Sequence, residues 1–421
     1  MYLNINNDKI HSGEIDILGA KNSALGIIAA SVILDGDKTL YNIPDLYDIH
    51  VMIETLKQIG FNVFFKNNTL KITGEANNFI LSNESLSSIR GSYYFYSSLL
   101  AKFCHVSSFL PGGCNLGTRP INYHLEGFAS LGCDYVIFDN HIEIITQELH
   151  PNDIHLPFPS VGATINLIIL ASTILGVTRI YNPALEPEVL DLINFLNHAG
   201  AKISIKENYI EIIGVTKLKG IKYKIIPDRI ESGSYMLLAL TKTFSSISLN
   251  NTNYKHLEQV IKTIKNIGGI VRLNRNKITV ISPKKITPIN ITSGVYPKFP
   301  TDLIQILAAI LSDSYYPSTI TDTIFENRYS YLKELKKLNI DVKYHFPSYQ
   351  VSSSHIFNSA KLICSDLRGA FSLFTACFLT HGHFQIQNVD YIFRGYNSFL
   401  DNLKKLDISF SLGGSTDNLL F

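Results

Sequence analysis

Arginine is scarce in this 421-residue chain, and its placement says what the chain is built to hold. Nine arginines, Arg90, Arg119, Arg179, Arg229, Arg272, Arg275, Arg328, Arg368 and Arg394, stand beside 28 lysines. Six of the nine fall at predicted helix starts or in turns containing Gly, Pro or Asp. A guanidinium presents a planar, permanently charged fork that matches two oxygens of a carboxylate or phosphate, which an ammonium does not. Used against a lysine-rich background, it points to bound anions. Any one of these arginines could equally cap a loop or pair with an Asp or Glu; the set together reads as a site.

A second feature is the stretch PGGCNLGTRP, Pro111 to Pro120. Three glycines and two prolines in ten residues exclude a helix or central strand, so this is a loop carrying Cys114 and Arg119. A thiol among cations has a lowered pKa and raised reactivity. Cys104, Cys133 and Cys377 are expected to be buried and inert.

These residues must be positioned by a repeated element. Six apolar stretches with helical spacing, Ile53–Val63, Leu125–Val136, Leu192–Ile203, Val260–Val271, Leu332–Val342 and Leu400–Phe410, each contain a similar helix-ending turn. The turn residues Gly60, Gly132, Gly200, Gly268, Asn339 and Asp407 lie 72, 68, 68, 71 and 68 residues apart. All six tolerate a left-handed C-cap. A more apolar helix precedes each, beginning near Lys21, Arg90, Ser160, Arg229, Asp302 and Arg368, and stretches such as VGATINLIILASTIL have too little polar surface to face solvent. The unit reads helix, strand, helix, hairpin, in six copies. If three buried helices bundle in parallel, their starts converge, and helix amino termini with cations beside them attract anions.

Composition narrows the class. At 46% hydrophobic and 17% charged, the chain can build two cores of three units each. A net charge of +2 leaves no nucleic-acid footprint, and the Phe and Tyr residues are scattered among core-like positions. The asparagine runs look compositional. The amino terminus MYLNINNDKI has no apolar signal core, and no apolar run reaches the roughly 20 residues of a membrane span. Five cysteines form no CxxC or disulfide-like framework, which places the expectation in a reducing compartment, most simply the cytoplasm. No metal-ligand spacing is present; His124, Glu126 and His155 are expected to be structural.

GAKNSAL (Gly19–Leu25), PGGCNLGTRP, SVGAT (Ser160–Thr164), PDRIESG (Pro227–Gly233), FPTDL (Phe299–Leu303), FENR (Phe325–Arg328), SDLRGA (Ser365–Ala370) and RGY (Arg394–Tyr396) resemble, in order, the signature stretches of the UDP-N-acetylglucosamine 1-carboxyvinyltransferase family. The resemblance spans about residues 3 to 415, and it is specific because the sister family acting on shikimate 3-phosphate lacks the cysteine loop. It implies a two-domain inside-out α/β barrel of six βαβαββ repeats, three per domain. Residues 1–20 with 229–421 would form one domain, and 21–228 the other, with the Cys114 loop as a lid over a cleft that closes on the nucleotide.

The implied reaction moves the enolpyruvyl group of phosphoenolpyruvate to the 3-hydroxyl of UDP-N-acetylglucosamine, releases phosphate and commits the sugar nucleotide to peptidoglycan. Lys21, Arg119 and Arg394 resemble phosphate contacts, and Arg368 and again Arg394 carboxylate contacts. Asn22 resembles the residue steadying the sugar nucleotide, and Arg90 and Arg328 further cleft arginines. Arg119, Pro120, Ile121, Asn122 and Tyr123, with Ser160, Val161 and Gly162, match the diphosphate and uracil side, and Ile324 a backbone sugar contact. Asp302 would take the hydroxyl proton, Cys114 would serve as general acid and as the target of the epoxide antibiotic fosfomycin, and Glu231 and Asp366 would hold cations in place. The catalytic set is thus Cys114, Asp302, Lys21 and Arg394. No cofactor or metal is implied, the partners are the two small substrates, and a monomer is the default.

Six positions depart from the family pattern: Phe158, Asn122, Leu185, Phe393, Ile304 and Tyr47. They bear on nucleotide affinity more than on chemistry. A same-fold transferase with an altered acceptor, or a silent nucleotide-sugar-binding homologue, are the competing readings.

Overall fold

The computed structural model describes residues 1–112, 121–325 and 328–414. Its described residues divide into two compact units, one made of Met1–Leu18 and the chain from Pro227 onward, the other of the intervening chain from Gly19 to Ile226. Each has its own apolar core.

The described residues contain six four-stranded sheets with a single plan. In each, a first strand pairs in parallel with a second, a buried helix lying before the second. In five of them the second pairs antiparallel with the last strand of the unit, which forms the hairpin with the third. In the unit with the amino terminus, Tyr2–Asn7 lies between Gly382–Gln387 and Ser409–Gly413, and His11–Asp16 pairs with Phe244–Asn250. In the other, Lys222–Lys224, late in the chain, is the parallel partner of Lys38–Tyr41. This is the inside-out α/β barrel of six repeats.

The buried helices are Lys21–Ala30, Tyr94–Phe103 and Val161–Ala171 in one unit and Arg229–Leu238, Thr301–Leu311 and Leu367–Ala376 in the other. Arg90 departs from the expected pattern: it opens a 3-10 turn, Arg90–Tyr93, that feeds the α-helix. In one unit two of them run in the same direction: Gly91, in the turn before Tyr94–Phe103, lies against Leu25, and Ser98, further along, donates its Oγ to the carbonyl of Ala29, also further along, at 2.7 Å. In the other unit Gly233 packs on Leu303, and Ser372 Oγ donates to Gln305 O at 2.7 Å. A Cβ at Gly233 would overlap Leu303, so glycine sets the helix spacing there.

The six second helices end as their spacing requires. Gly60, Gly132, Gly200, Gly268, Asn339 and Asp407 have φ of 112°, 96°, 108°, 102°, 63° and 58°. Asparagine, whose runs read as compositional, also supplies a second repeated device. Asn42, Asn182, Asn251 and Asn388 each follow a second strand with φ between 52° and 63°. Their side-chain amides donate to Ile225 O, Leu156 O, Ile17 O and Cys364 O at 3.0, 2.9, 2.6 and 3.3 Å, each one residue past the parallel first strand. Four repeats are clasped by the same hydrogen bond. Among the described residues no helix is long and apolar enough to cross a membrane.

Candidate active site

In the unit that contains both termini, the start of helix Thr301–Leu311 carries Asp302 between two guanidiniums. Arg328 Nη2 donates to Asp302 Oδ1 at 3.0 Å, and Arg368 Nη2 to Oδ2 at 3.3 Å. Both arginine side chains are almost fully buried, whereas that of Asp302 is 25% exposed. Burial pushes the carboxyl pKa up, but Arg368 and Arg328 pull harder, and the net position lies well below the usual carboxylate range. Asp302 is therefore ionised at neutral pH, as its place at a helix amino terminus also favours.

Each arginine is fixed on its other side. Arg328 Nη1 donates to Thr301 O and Oγ1 at 3.1 and 3.3 Å, and its guanidinium lies 4.5 Å from the Phe325 ring. Arg368 lies 5.4 Å from the Tyr396 ring, which stacks on Phe371 at 4.2 Å. Asp366 accepts from the Arg368 and Gly369 backbone N–H groups at 3.1 and 2.9 Å, so it caps the helix that presents Arg368 instead of touching the guanidinium. Glu231 is buried; desolvation first and then Asp228 push its pKa up, against Arg368. Among the described residues, Arg368 Nη1 and Arg328 Nε are buried with no hydrogen-bond partner. A buried N–H without an acceptor is costly, and both donors sit beside Asp302 where an anion would complete them. Arg394 ends the short helix Asp390–Phe393, and Gly395 next to it packs on Leu367, beside Arg368. Ile324 donates its N–H to Asp322 Oδ1 at 3.1 Å.

In the other unit, Lys21 opens its helix and donates to Asp48 Oδ2 at 3.1 Å, both side chains being nearly buried. Asn22 follows, half-buried. Ser160 caps the next helix by accepting from Ala163 N at 3.3 Å, and Val161 and Gly162 form its first turn. Gly162 lies against Tyr93 and His124, where a Cβ would crowd the imidazole at 2.9 Å. His124 is buried and structural: Asn166 Nδ2 donates to its Nδ1 at 2.8 Å, and burial first, then Arg90, lower its pKa to about 3. Arg90 lies 5.5 Å from the Tyr93 ring. Ile121 precedes the helix Asn122–Ser130. Asn122 Nδ2 reaches Glu126 Oε1 at 3.4 Å while its Oδ1 is buried without a partner among the described residues, and Tyr123 packs partly on the core.

Cys114, Arg119 and Pro120 lie outside the described residues. Of the other cysteines, Cys133, Cys364 and Cys377 are buried, but Cys104 is exposed. The expectation of burial for Cys104 is thereby corrected: with φ of 57° it is the left-handed cap of the helix Tyr94–Phe103, where the chain reverses into the strand His105–Phe109, whereas Cys377 ends its helix in the right-handed conformation and stays in the core. Among the departing positions, Ile304 is core, Leu185 and Phe393 pack partly on cores, Phe158 is exposed, and Tyr47 Oη meets Ser88 Oγ at 3.1 Å. Sequence reading missed Asp48 beside Lys21 in one unit and Asp322 beside Thr301 in the other, since packing between separate segments makes each contact; Thr301 and Tyr396 lay within the FPTDL and RGY stretches without a role of their own.

A profile of the family described as EPSP synthase (3-phosphoshikimate 1-carboxyvinyltransferase) matches residues 5–403. A UDP-N-acetylglucosamine 1-carboxyvinyltransferase from Halothermothrix orenii is 35% identical over 93% of this chain and 94% of its own length. One from Prochlorococcus marinus is 38% identical over 94% of this chain and 88% of its own. In fold, the chain is similar to the enolpyruvyl transferase NikO from Streptomyces tendae, with a TM-score of 0.88 at 20% identity over 97% of this chain and 98% of that one. EPSP synthase from Acinetobacter baumannii gives 0.74 at 16%, covering 98% and 100%. Six repeats, anion-ready helix starts and full-length relatives above 30% identity agree: the chain belongs to the enolpyruvyl transferase family, among the UDP-N-acetylglucosamine 1-carboxyvinyltransferases.

Proposed function

We propose that this enzyme transfers the enolpyruvyl group of phosphoenolpyruvate to the 3-hydroxyl of UDP-N-acetylglucosamine, releasing phosphate, as a step of peptidoglycan synthesis. The observation that carries the chemistry is Asp302, an ionised carboxylate at a helix start, held by two buried arginines that each keep an N–H group without an acceptor among the described residues.

Addition joins the sugar oxygen to carbon 2 of phosphoenolpyruvate while the hydroxyl proton leaves to Asp302 and carbon 3 gains a proton. The resulting ketal loses a carbon 3 proton and expels phosphate, so the product is an enolpyruvyl ether and atoms balance. Paired to two guanidiniums, Asp302 is a weak base. An anionic substrate that draws Arg368 and Arg328 toward its own oxygens raises the basicity of Asp302 at the moment it is needed. The same cations stabilise charge on the carboxylate and phosphate. Arg368 and Arg394 are assigned to the carboxylate, and Lys21, Arg119 and Arg394 to the phosphate. Arg90 serves phosphoenolpyruvate. Asn22, Ile121 to Tyr123, Ser160 to Gly162 and Ile324 are assigned to the sugar nucleotide, and Cys114 to general-acid work. A cytoplasmic monomer acting on two small substrates fits this reading.

Phosphate release from phosphoenolpyruvate, measured with and without UDP-N-acetylglucosamine, tests it. Release that depends on the sugar nucleotide and yields a stoichiometric enolpyruvyl ether is expected. Release with another acceptor, or none, overturns the assignment.

A further inference from the structure

We infer that Asp322 is a positioning residue for the transfer reaction, acting on Asp302 through Thr301 and Arg328; the inference rests on the function proposed above. Asp322 follows the strand Ser318–Thr321 and is only 4% exposed. Its Oδ1 accepts from Ser293 Oγ at 2.6 Å, Thr301 Oγ1 at 3.0 Å and Ile324 N at 3.1 Å, and its Oδ2 from Thr301 Oγ1 at 2.8 Å. Three chain segments therefore meet on one carboxylate. Two of them carry groups assigned to substrate: Thr301 begins the helix of Asp302, and Ile324 precedes Arg328.

The polarity of this chain of hydrogen bonds explains why a carboxylate is used. A threonine hydroxyl has one proton to give. Because Thr301 gives it to Asp322, its lone pairs are left for Arg328 Nη1 at 3.3 Å, and the Thr301 carbonyl takes the same nitrogen at 3.1 Å. Arg328 is thereby turned so that Nη2 reaches Asp302 at 3.0 Å. An amide at position 322 would turn an N–H toward Thr301 Oγ1. The threonine proton would then point at a guanidinium, donor against donor, and Arg328 would have to move. At the same time the Ile324 N–H is occupied by Asp322, which fixes the Thr323–Ile324 peptide plane and so anchors the backbone from which the Ile324 carbonyl projects. Asp322 thus sets the base and the proposed sugar contact in one frame.

The test is steady-state kinetics on Asp322→Asn, Thr301→Val, the double variant and Thr301→Ser. Misplacing a reacting group by about an ångström costs on the order of 100-fold. Asp322→Asn is expected to lower kcat about 10- to 100-fold and raise KM for UDP-N-acetylglucosamine several-fold, with KM for phosphoenolpyruvate changed less than about threefold. Thr301→Val should lower kcat comparably, Thr301→Ser should stay near wild type, and the double variant should be no worse than the worse single one. If the wild type makes no enolpyruvyl ether, the proposed function fails whatever Asp322 does. If the wild type is active and Asp322→Asn stays within about twofold in kcat and in KM for the nucleotide, the positioning role is overturned. Multiplicative losses in the double variant, or a lowered melting temperature with unchanged kinetics, also overturn it. Should Asp322→Asn fail to fold, the contrast between Thr301→Val and Thr301→Ser decides, equal activities counting against the inference.

Discussion

Arg368 Nη2 lies 3.3 Å from Asp302 Oδ2, and the two residues come from helix starts 66 positions apart in the chain. With Arg328 on the other carboxylate oxygen, this pairing sets both the charge of the base and the orientation of the cations.

Asp302→Asn keeps the shape and removes the base. Turnover should fall at least about 100-fold with the sugar nucleotide still bound, measured by phosphate release and calorimetric titration. Near-normal turnover would place the base elsewhere.

The same pairing has a pH signature. Since the folded carboxyl of Asp302 titrates below its unfolded value, its stabilisation is present above the unfolded pKa of about 4 and is lost as pH falls from there toward the folded value. Denaturant unfolding of the wild type should weaken on acidification below about pH 4 more steeply than that of Asp302→Asn. Equal slopes would mean that the ion pairs add nothing to stability.

His124 should contribute at milder acidity. The fold holds it neutral down to about 3, whereas the unfolded side chain protonates near 6.5. Across that interval the unfolded state binds the extra proton, so stability should fall by about 1.4 kcal/mol per pH unit from this group alone. His124→Gln should flatten the slope between those values. An NMR titration that finds His124 protonating near 6.5 in the folded protein would contradict the buried, neutral assignment.

Fosfomycin should add once to the intact protein, at Cys114, with UDP-N-acetylglucosamine promoting the reaction. Cys114→Asp should retain substantial turnover and resist the drug, and Cys114→Ala should lose most turnover. Burial pushes the Cys133 thiol up to about 12 and raises Cys364 and Cys377 as well. Cys104, being exposed, is the informative competitor in peptide mapping. An adduct there would show that exposure, and not the loop, governs reactivity.

The asparagine clasps should be worth more than one hydrogen bond. Asn182→Gly keeps the left-handed backbone and loses the 2.9 Å bond to Leu156 O, at a cost of about 1 kcal/mol. Asn182→Ala should cost roughly 1 kcal/mol more, for an αL alanine. Equal midpoints for the two variants in denaturant unfolding would remove the backbone contribution.

The chain itself determined the repeat. Glycine, asparagine and aspartate at near-constant spacing are local requirements of a left-handed helix end, so all six turns were legible before any contact was known. The apolar helices were legible too, because a helix without a polar face has to be buried. Their starts carried Lys21, Ser160, Asp302 and Arg368, and motif order pointed to the family. Packing decided the rest. That Asp322 holds Thr301, that Asp48 meets Lys21, and that Arg368 rests by Tyr396 are contacts between segments whose separation no spacing rule encodes. The asparagine clasps escaped notice for a related reason: each bond joins a turn to a strand reached through another part of the chain, as with Asn42 and Ile225, so the sequence shows the asparagine without its partner. Local conformational preference can be read from residue type, whereas the partner of a buried polar group is fixed only once the helices and sheets have packed.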